Sequence, residues 1–278
     1  HAFFRRQRQM CIRDRDISLS KIIDETSGLE IIDGQFVTHN DSGGDPALYY
    51  LDEKGKIVET RKIAGVKNTD WEDITKDEEF LYVANIGNNY DTRKNLSIVK
   101  IPIQKSSNEN VEVINFSYPE QKKFRRIYRR SEYDAEALIS FEDKLLIFTK
   151  NKRKKITEIY SLPKNGGNYQ AKKIGSLNTD SIVTGGDYNK ETNTLALTST
   201  IKFDEYYVLI ISDFSLNNKN QKIDMYEIPI GKTQVEAIKI IDPTTFWITS
   251  EDEKSSSAAR LMKFCLLYTS PSPRDAES

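Results

Sequence analysis

Five segments of this 278-residue chain repeat one pattern, and the clearest runs Glu136-Ala137-Leu138-Ile139-Ser140-Phe141-Glu142-Asp143-Lys144-Leu145-Leu146-Ile147-Phe148-Thr149-Lys150. Its two hydrophobic runs, separated by a short polar turn, indicate a pair of hairpin strands. The other segments begin at Ser27-Gly28-Leu29, Glu72-Asp73-Ile74, Gly186-Asp187-Tyr188 and Glu236-Ala237-Ile238, so successive segments start 45, 64, 50 and 50 residues apart. In each segment the second hydrophobic run ends 13 or 14 residues after the first residue of the segment, at Asn40, Asn85, Lys150, Thr200 and Ser250. A repeat of several short strands with this period is typical of a β-propeller blade.

The repeat predicts an all-β protein, a β-propeller of five blades. The predicted units cover residues 25–63, 68–118, 133–177, 181–230 and 231–264. The last unit shows only three strands, and residues 16–22 form a strand outside any unit. We expect this N-terminal strand to complete the last blade and close the ring, because closure removes exposed strand edges. Six blades are the alternative, since the 64-residue interval could hold a further unit; we interpret its surplus as an inserted loop.

Neither end of the chain follows the repeat. Residues 1–15 are basic and aperiodic, and residues 265–278 are rich in serine and proline. Both resemble translated sequencing-adapter read-through, so we predict non-native or disordered tails around a single propeller domain at 16–264. This assignment removes Cys11 and Cys265 from the domain, so cysteine usage says nothing about disulfides or redox compartment.

Composition excludes several function classes. The 41 basic and 42 acidic residues give a net charge of −1, which provides no basic face for nucleic acid. No stretch approaches the roughly 18 apolar residues that a membrane-spanning segment needs. With only His1 and His39 in the chain, a histidine-rich zinc site or a Ser-His-Asp triad has almost no material. We therefore predict a monomer without nucleic-acid partner or transmembrane segment.

Hairpin geometry predicts where functional side chains gather. The start of a first strand and the end of the second lie at the same edge, so all five hairpins should direct these positions to one axial mouth. The predicted members are Glu72, Glu136, Asp187 and Glu236 from the first strands, and His39, Asn40, Asp41, Asn85, Asn88, Lys150 and Glu251 from the second.

Clustered carboxylates repel each other unless they are protonated, paired with bases or bound to a cation. Calcium accepts six to eight oxygen ligands, and the asparagines add neutral oxygens to the acids. We therefore predict a Ca²⁺ site with Glu72, Glu136, Asp187 and Glu236 as metal ligands and the other members around it. The alternative is that each glutamate accepts hydrogen bonds from backbone amides of the next blade.

Two basic runs lie beside the predicted mouth, at residues 122–130 and 150–155. The first occupies the surplus loop. It could bend over the mouth and bind an anionic ligand, balance the acids, or remain a solvated loop.

A family resemblance covers nearly all of residues 16–264. It is carried by Thr38-His39-Asn40-Asp41-Ser42-Gly43, Asp70-Trp71-Glu72-Asp73-Ile74, Asn85-Ile86-Gly87-Asn88-Asn89 with Arg93, Asp134-Ala135-Glu136-Ala137-Leu138, Thr184-Gly185-Gly186-Asp187-Tyr188 and Gln234-Val235-Glu236-Ala237-Ile238. The set resembles bacterial, often extracytoplasmic, propellers of unassigned function, and more distantly gluconolactonase and regucalcin. The latter resemblance implies a divalent cation in the axial mouth, and the former adds Arg93 to the ligand-binding set. Relatives carry Asp-Ile-Gly-Asp-Asn where this chain has asparagine at both acidic positions, which lowers the charge of the site.

Three functions compete. The first is a secreted or periplasmic propeller that holds Ca²⁺ or a small polar ligand in its mouth. The second is a metal-dependent hydrolase of lactone or phosphoester bonds, with a glutamate as base and Lys150 steadying negative charge. The third is a protein-interaction scaffold, which predicts an apolar rim and a mouth filled by its own side chains. The sequence does not decide whether the protein is an enzyme.

Overall fold

A computed structural model describes residues 11–105, 110–126, 131–203, 205–218, 220–231, 233–251 and 258–266. The predicted tail segments 1–10 and 267–278, and the last four residues of the basic run 122–130, lie outside these ranges.

Five sheets, each built on four antiparallel strands, follow one another along the chain. Blade 1 contains β2 (Thr26–Ile32), β3 (Gln35–Asn40), β4 (Ala47–Leu51) and β5 (Ile57–Lys62). Blade 2 contains β6 (Asp73–Lys76), β7 (Phe80–Asn85), β8 (Leu96–Pro102) and β9 (Glu112–Ser117). Blade 3 contains β10 (Ala135–Phe141), β11 (Lys144–Thr149), β12 (Thr157–Pro163) and β14 (Lys172–Leu177). Blade 4 contains β15 (Ile182–Asn189), β16 (Thr194–Thr200), β17 (Tyr206–Ser212) and β18 (Asp224–Ile228).

Blade 5 joins the two ends of the described chain. It contains β19 (Val235–Asp242), β20 (Thr245–Ser250) and β21 (Arg260–Leu266), and β1 (Cys11–Ser18) pairs antiparallel with β21 as the fourth strand. The predicted closure by an N-terminal strand and the count of five blades are therefore confirmed. The ladder runs beyond residues 16 and 264, since Cys11 lies opposite Leu266. The interpretation of the two ends as non-native stays a prediction.

The five sheets form a wheel because each packs its apolar faces against both neighbours. Five buried hydrophobic clusters lie between blades 1 and 2, 2 and 3, 3 and 4, 4 and 5, and 5 and 1. The innermost strands β2, β6, β10, β15 and β19 contact one another in that order around the axis. This arrangement places all five hairpin mouths around one axis.

One strand was not predicted. β13 (Gly167–Gln170) leaves blade 3 between β12 and β14 and pairs parallel with β9, the outer strand of blade 2. In the glycine-containing segment Asn165-Gly166-Gly167-Asn168, the first two residues form a bend and the strand begins at Gly167. β13 adds a fifth strand to blade 2 and ties two blades together.

The chain between β1 and β2 forms a single 3-10 turn, Lys21–Ile23. Over the residues that the structure describes, no helix has the length and hydrophobicity needed to cross a bilayer.

Candidate functional site

A polar cavity of about 150 Å³ opens at the axis, at the end where the innermost strands begin. Four blades contribute to its wall: blade 1, blade 2, blade 3 and blade 5. The lining side chains are Ser27, Asp41, Glu72, Asn89, Glu136, Lys150, Gln234, Glu236 and Glu251. The predicted convergence of first-strand starts and second-strand ends on one mouth is therefore what the structure shows for these positions.

Two further carboxylates join this group. The carboxylate oxygens of Asp41, Asp70 and Glu72 lie within 4.8 Å of one another, and those of Glu72, Asp134 and Glu136 do the same. Glu72 belongs to both groups and so lies at their centre. Asp70 and Asp134 were missing from the predicted site, although both occur in a repeated Asp-x-Glu pattern just before a first strand.

We define the mouth cluster as Asp41, Asp70, Glu72, Asp134, Glu136, Glu236 and Glu251. Among the described residues, three basic side chains contact it: Lys150 Nζ lies 2.8 Å from Glu136 Oε1, Lys152 Nζ 3.0 Å from Asp134 Oδ2, and an Arg93 guanidinium nitrogen 3.7 Å from Asp70 Oδ2. Acidic groups thus outnumber the described bases. Protons or a bound cation relieve the repulsion among them.

The loop between β7 and β8 shapes one wall through its own hydrogen bonds. Asn85 Oδ1 accepts from the Asp70 backbone N–H at 3.1 Å and from the Arg93 guanidinium at 3.0 Å. Asn88 Oδ1 accepts from the Arg93 backbone N–H at 2.9 Å, and the Asn88 N–H donates to Asp134 Oδ1 at 2.7 Å. These three residues, predicted as ligand-binding, hold the acidic residues in place and do not line the cavity.

Gly87 makes room for the carboxylates. A Cβ built on this residue would lie 2.0 Å from Glu72 Oε1 and 2.4 Å from the Asp70 carboxyl carbon. No side chain larger than hydrogen fits unless the two acids move. The glycine therefore permits Asp70 and Glu72 to approach each other.

Burial and mutual repulsion shift the proton affinities of the mouth cluster. Burial, followed by the charges of Asp70 and Glu136, raises the pKa of Asp41 to about 8. The pKa of Glu72 is raised well above its usual range by burial and then by Glu136. Burial also raises the pKa of Glu236, against the opposing effect of Lys150. Without a cation, the mouth therefore holds protons at neutral pH.

Lys150 remains charged inside this acidic surrounding. Burial lowers its pKa, but the charges of Glu136 and Glu236 more than offset that effect and raise the pKa well above its usual value. Its predicted place at the mouth agrees with the structure. Lys150 and Lys152, both from the basic run 150–155, balance acids of the mouth cluster.

His39 and Asn40 lie beside the mouth rather than in it. The His39 ring is buried, packs edge-on against Trp71 at 5.5 Å between centroids, and has a 3.1 Å hydrogen bond between Nδ1 and the Asn40 carbonyl. Burial lowers the pKa of His39 to about 4, so the ring is neutral. Asn40 donates to the Ile22 carbonyl at 2.8 Å. Both residues stabilise the entry to blade 1.

The predicted set of metal ligands must be corrected at Asp187. This residue does not line the cavity but lies farther along the propeller axis. Its Oδ1 accepts from Lys239 Nζ at 3.0 Å and its Oδ2 from the Ile240 backbone N–H at 2.8 Å. Lys239 Nζ also lies 2.5 Å from Glu30 Oε1, so one lysine, whose side chain is 14% exposed, joins blades 1, 4 and 5. Asp187 is therefore part of a structural ion pair.

A longer hairpin turn explains the displacement of Asp187: Asn189 pairs with Thr194 in blade 4, whereas Phe141 pairs with Lys144 in blade 3, so the turn of blade 4 is two residues longer and its first strand begins earlier than the spacing indicated. In blades 3 and 5 the register shifts around the anchor glutamates Glu136 and Glu236, whereas in blade 4 it shifts between Val183 and Gly185. Thr184 therefore occupies the position equivalent to the glutamates. It bonds Thr198 at 3.1 Å between hydroxyl oxygens. The uncharged threonine explains why blade 4 adds no carboxylate to the mouth.

Comparison with known proteins supports the fold. No family model and no curated sequence matches the chain. In structure it is similar to the PQQ-bound form of an aldose sugar dehydrogenase from Streptomyces coelicolor, with a TM-score of 0.55 and 10% identity over 92% of this chain and 98% of that one. A crystal structure of the mitotic checkpoint complex aligns with a TM-score of 0.47 and 11% identity over 95% and 94% of the two chains. The first similarity supports a β-propeller. The resemblance to extracytoplasmic propellers and to gluconolactonase stays a prediction.

Proposed function

We propose that this protein is a secreted or periplasmic β-propeller that binds a divalent cation, Ca²⁺ in the first place, in its axial mouth, and uses it to hold a small polar ligand. The observation that carries the proposal is the presence of two sets of three closely spaced carboxylates, which have Glu72 in common. Hard cations with oxygen ligands suit such a set, and Ca²⁺ tolerates irregular geometry better than Mg²⁺ does.

The ligands nearest to this role are Asp41, Asp70 and Glu72. Lys150 and Lys152 contact Glu136 and Asp134, which leaves the first group with the 3.7 Å approach of Arg93 to Asp70 as its ion pair among the described residues. A bound cation would replace the protons that burial now keeps on these acids. Glu136 and Glu236, both predicted as metal ligands, also line the cavity, where Glu136 pairs with Lys150 and both glutamates are within reach of the ligand.

The open cavity favours ligand binding over a pure scaffold. A scaffold predicts a mouth filled by its own side chains, whereas about 150 Å³ remains between polar residues here. Extracytoplasmic placement belongs to the proposal because weak Ca²⁺ sites, with a Kd of about 10⁻⁴ to 10⁻³ M, are typical of extracellular modules.

Thermal unfolding with and without Ca²⁺ tests the cation site. At a Ca²⁺ concentration about a hundredfold above Kd, we expect Tm to rise by about 5–10 °C, since binding to the folded state alone adds about 2.7 kcal/mol. Glu72→Gln should abolish the rise. Glu158→Gln is the matched control, because Glu158 is an equally buried glutamate that pairs with Lys173 away from the mouth. A wild-type Tm that responds to none of Ca²⁺, Mg²⁺, Mn²⁺ and Zn²⁺ would overturn the proposal.

A metal-dependent hydrolase is the second candidate, and the raised pKa of Glu236 favours it, because this glutamate lines the cavity but lies outside the two groups that share Glu72. A buried carboxyl with a raised pKa beside a cation site can exchange a proton near neutral pH. Lys150 would then stabilise negative charge on a lactone or phosphoester. We expect Glu236→Gln to remove hydrolysis from a panel of lactones and nitrophenyl phosphoesters while the Ca²⁺ effect on Tm persists; a panel without turnover in the wild type excludes this candidate for those substrates.

A further inference from the structure

Two exposed aromatic rings lie at the edge of the mouth, on the blade 2 side. Tyr90 and Phe124 keep 39% and 36% of their surface exposed. The Arg126 guanidinium carbon lies 4.2 Å from the centre of the Tyr90 ring, and Lys94 Nζ lies 5.0 Å from the centre of the Phe124 ring. We call these four residues the rim. Each loop supplies one ring and one cation, so the two loops interlock.

The rim rests on a fixed base. The Asp91 carboxylate accepts from the backbone N–H groups of Glu132 and Tyr133, each at 3.0 Å, and Gln121 donates to the Asp91 carbonyl at 2.9 Å. Asp91 and Gln121 are buried. Because both loops are held by these bonds, the rings keep their position relative to the cavity.

The rim borders the cavity directly. Asn89, next to Tyr90 in the chain, lines the cavity and accepts from Lys152 Nζ at 2.7 Å. A ligand that enters the mouth on this side therefore meets cations and aromatic faces first and the mouth cluster second. Asn89 therefore lies between the basic rim and the acidic mouth cluster.

This sequence of surfaces defines the chemistry of a fitting ligand. Aromatic faces stack on the flat apolar side of a ring, and the adjacent cations attract an anionic group. The mouth carboxylates accept hydrogen bonds, so they favour a part of the ligand that is rich in hydroxyl groups. A polymer with one phosphate per residue would be repelled by the seven carboxyls, which disfavours nucleic acid.

We propose that the rim and the mouth together bind an acidic oligosaccharide, with a sugar carboxylate on Arg126 and Lys94, a sugar ring against Tyr90 or Phe124, and hydroxyl groups toward the mouth cluster. The inference rests on the proposed use of the mouth as a ligand site. It names the class of that ligand and does not require the cation to be bound.

Isothermal titration calorimetry of the full chain with sialyllactose, which carries a single carboxylate, tests the inference, with the neutral lactose as comparison. We expect sialyllactose to bind at least about tenfold more tightly than lactose, and added salt to weaken it. Tyr90→Ala and Arg126→Gln should each weaken binding by about fivefold to tenfold, the typical effect of losing one such contact. Lys54→Gln, an exposed turn lysine of blade 1, is the control and should bind as the wild type does.

Three results would overturn the inference: equal binding of lactose, tighter binding of a single-stranded DNA dodecamer, or unchanged binding by both rim variants. Because Tyr90 and Arg126 are exposed, their substitution should leave Tm unchanged, so a loss of binding cannot be attributed to unfolding. Tyr90→Ala should also keep the Ca²⁺-dependent rise of Tm, whereas Glu72→Gln loses it. A failed cation site and a failed saccharide site are therefore distinguished.

Discussion

The free energy of unfolding of the cation-free protein should fall as pH rises toward 8, and the loss of a proton from Asp41 should account for part of the fall. Its pKa is about 8 in the folded state against an ordinary value of 3.8. Between these values the folded chain keeps a proton that the unfolded chain releases. The resulting stabilisation is complete below the lower value and is lost as pH rises through the upper one.

The magnitude follows from one proton. Each proton retained only by the folded state changes the free energy of unfolding by about 1.4 kcal/mol per pH unit. Glu72 and Glu236, whose pKa values are also raised, change it in the same direction. We therefore expect the wild type to lose at least about 1.4 kcal/mol per unit between about pH 5 and 7.5, a window above the titration of ordinary carboxylates.

Urea unfolding at a series of pH values, with a chelator present, measures this slope. Asp41→Asn should reduce it by about 1.4 kcal/mol per pH unit, because the variant has no proton to release at this position. Asp45→Asn, an exposed aspartate of blade 1, is the control and should keep the wild-type slope. Saturating Ca²⁺ should flatten the wild-type slope, since the ion replaces the protons. Equal slopes for Asp41→Asn and wild type, or stability that rises with pH in this window, would refute the reasoning.

Two further substitutions test the propeller axis and the mouth. Lys239→Met should destabilise the protein by about 3–5 kcal/mol at neutral pH in urea unfolding, because it leaves Glu30 and Asp187 buried without their shared partner. Acid should reduce the loss, because burial raises the pKa of Glu30 and this carboxyl takes up a proton as pH falls. Gly87→Ala should destabilise by about 1–3 kcal/mol through overpacking and should remove the Ca²⁺ effect on Tm, because the added methyl group displaces Glu72.

Each substitution has a control in the same chain. Lys100→Met also removes a buried lysine, but its partner Glu112 is half-buried and its loss should cost less. Gly44→Ala adds a methyl group with nothing within 4 Å and should be neutral. A Lys239→Met variant no less stable than Lys100→Met, or a Gly87→Ala variant that still responds to Ca²⁺, would contradict the contacts described above.

The wheel and its axial mouth were predictable because both depend on hydrophobic runs of regular length and spacing. The inner hairpins are such runs, and their ends meet at the axis regardless of the conformation of the loops. The residue that faces the axis depends in addition on local register. In blade 4 the hairpin turn is two residues longer than in blade 3, so Thr184 takes the position of the glutamates in place of the Gly186-Asp187 pair that the spacing indicated. The hydrophobic runs alone do not give the length of the turn.

Asp70 and Asp134 were missed for a different reason. They precede the first strands and belong to loops, so strand periodicity says nothing about them. The repeated Asp-x-Glu pattern was the available indication. β13 could not be predicted from local sequence, because Gly167–Gln170 becomes a strand only through its pairing with another blade.

The pairing of β13 with a strand of the neighbouring blade affects how the ring opens. The seams between blades are each sealed by side-chain packing, but the seam between blades 2 and 3 is also crossed by main-chain hydrogen bonds from β13 to β9. Transient opening should therefore occur at one of the other four boundaries. The loops that carry Tyr90 and Phe124 sit above the reinforced seam, so the surface assigned to the saccharide should outlast the rest of the ring during partial unfolding.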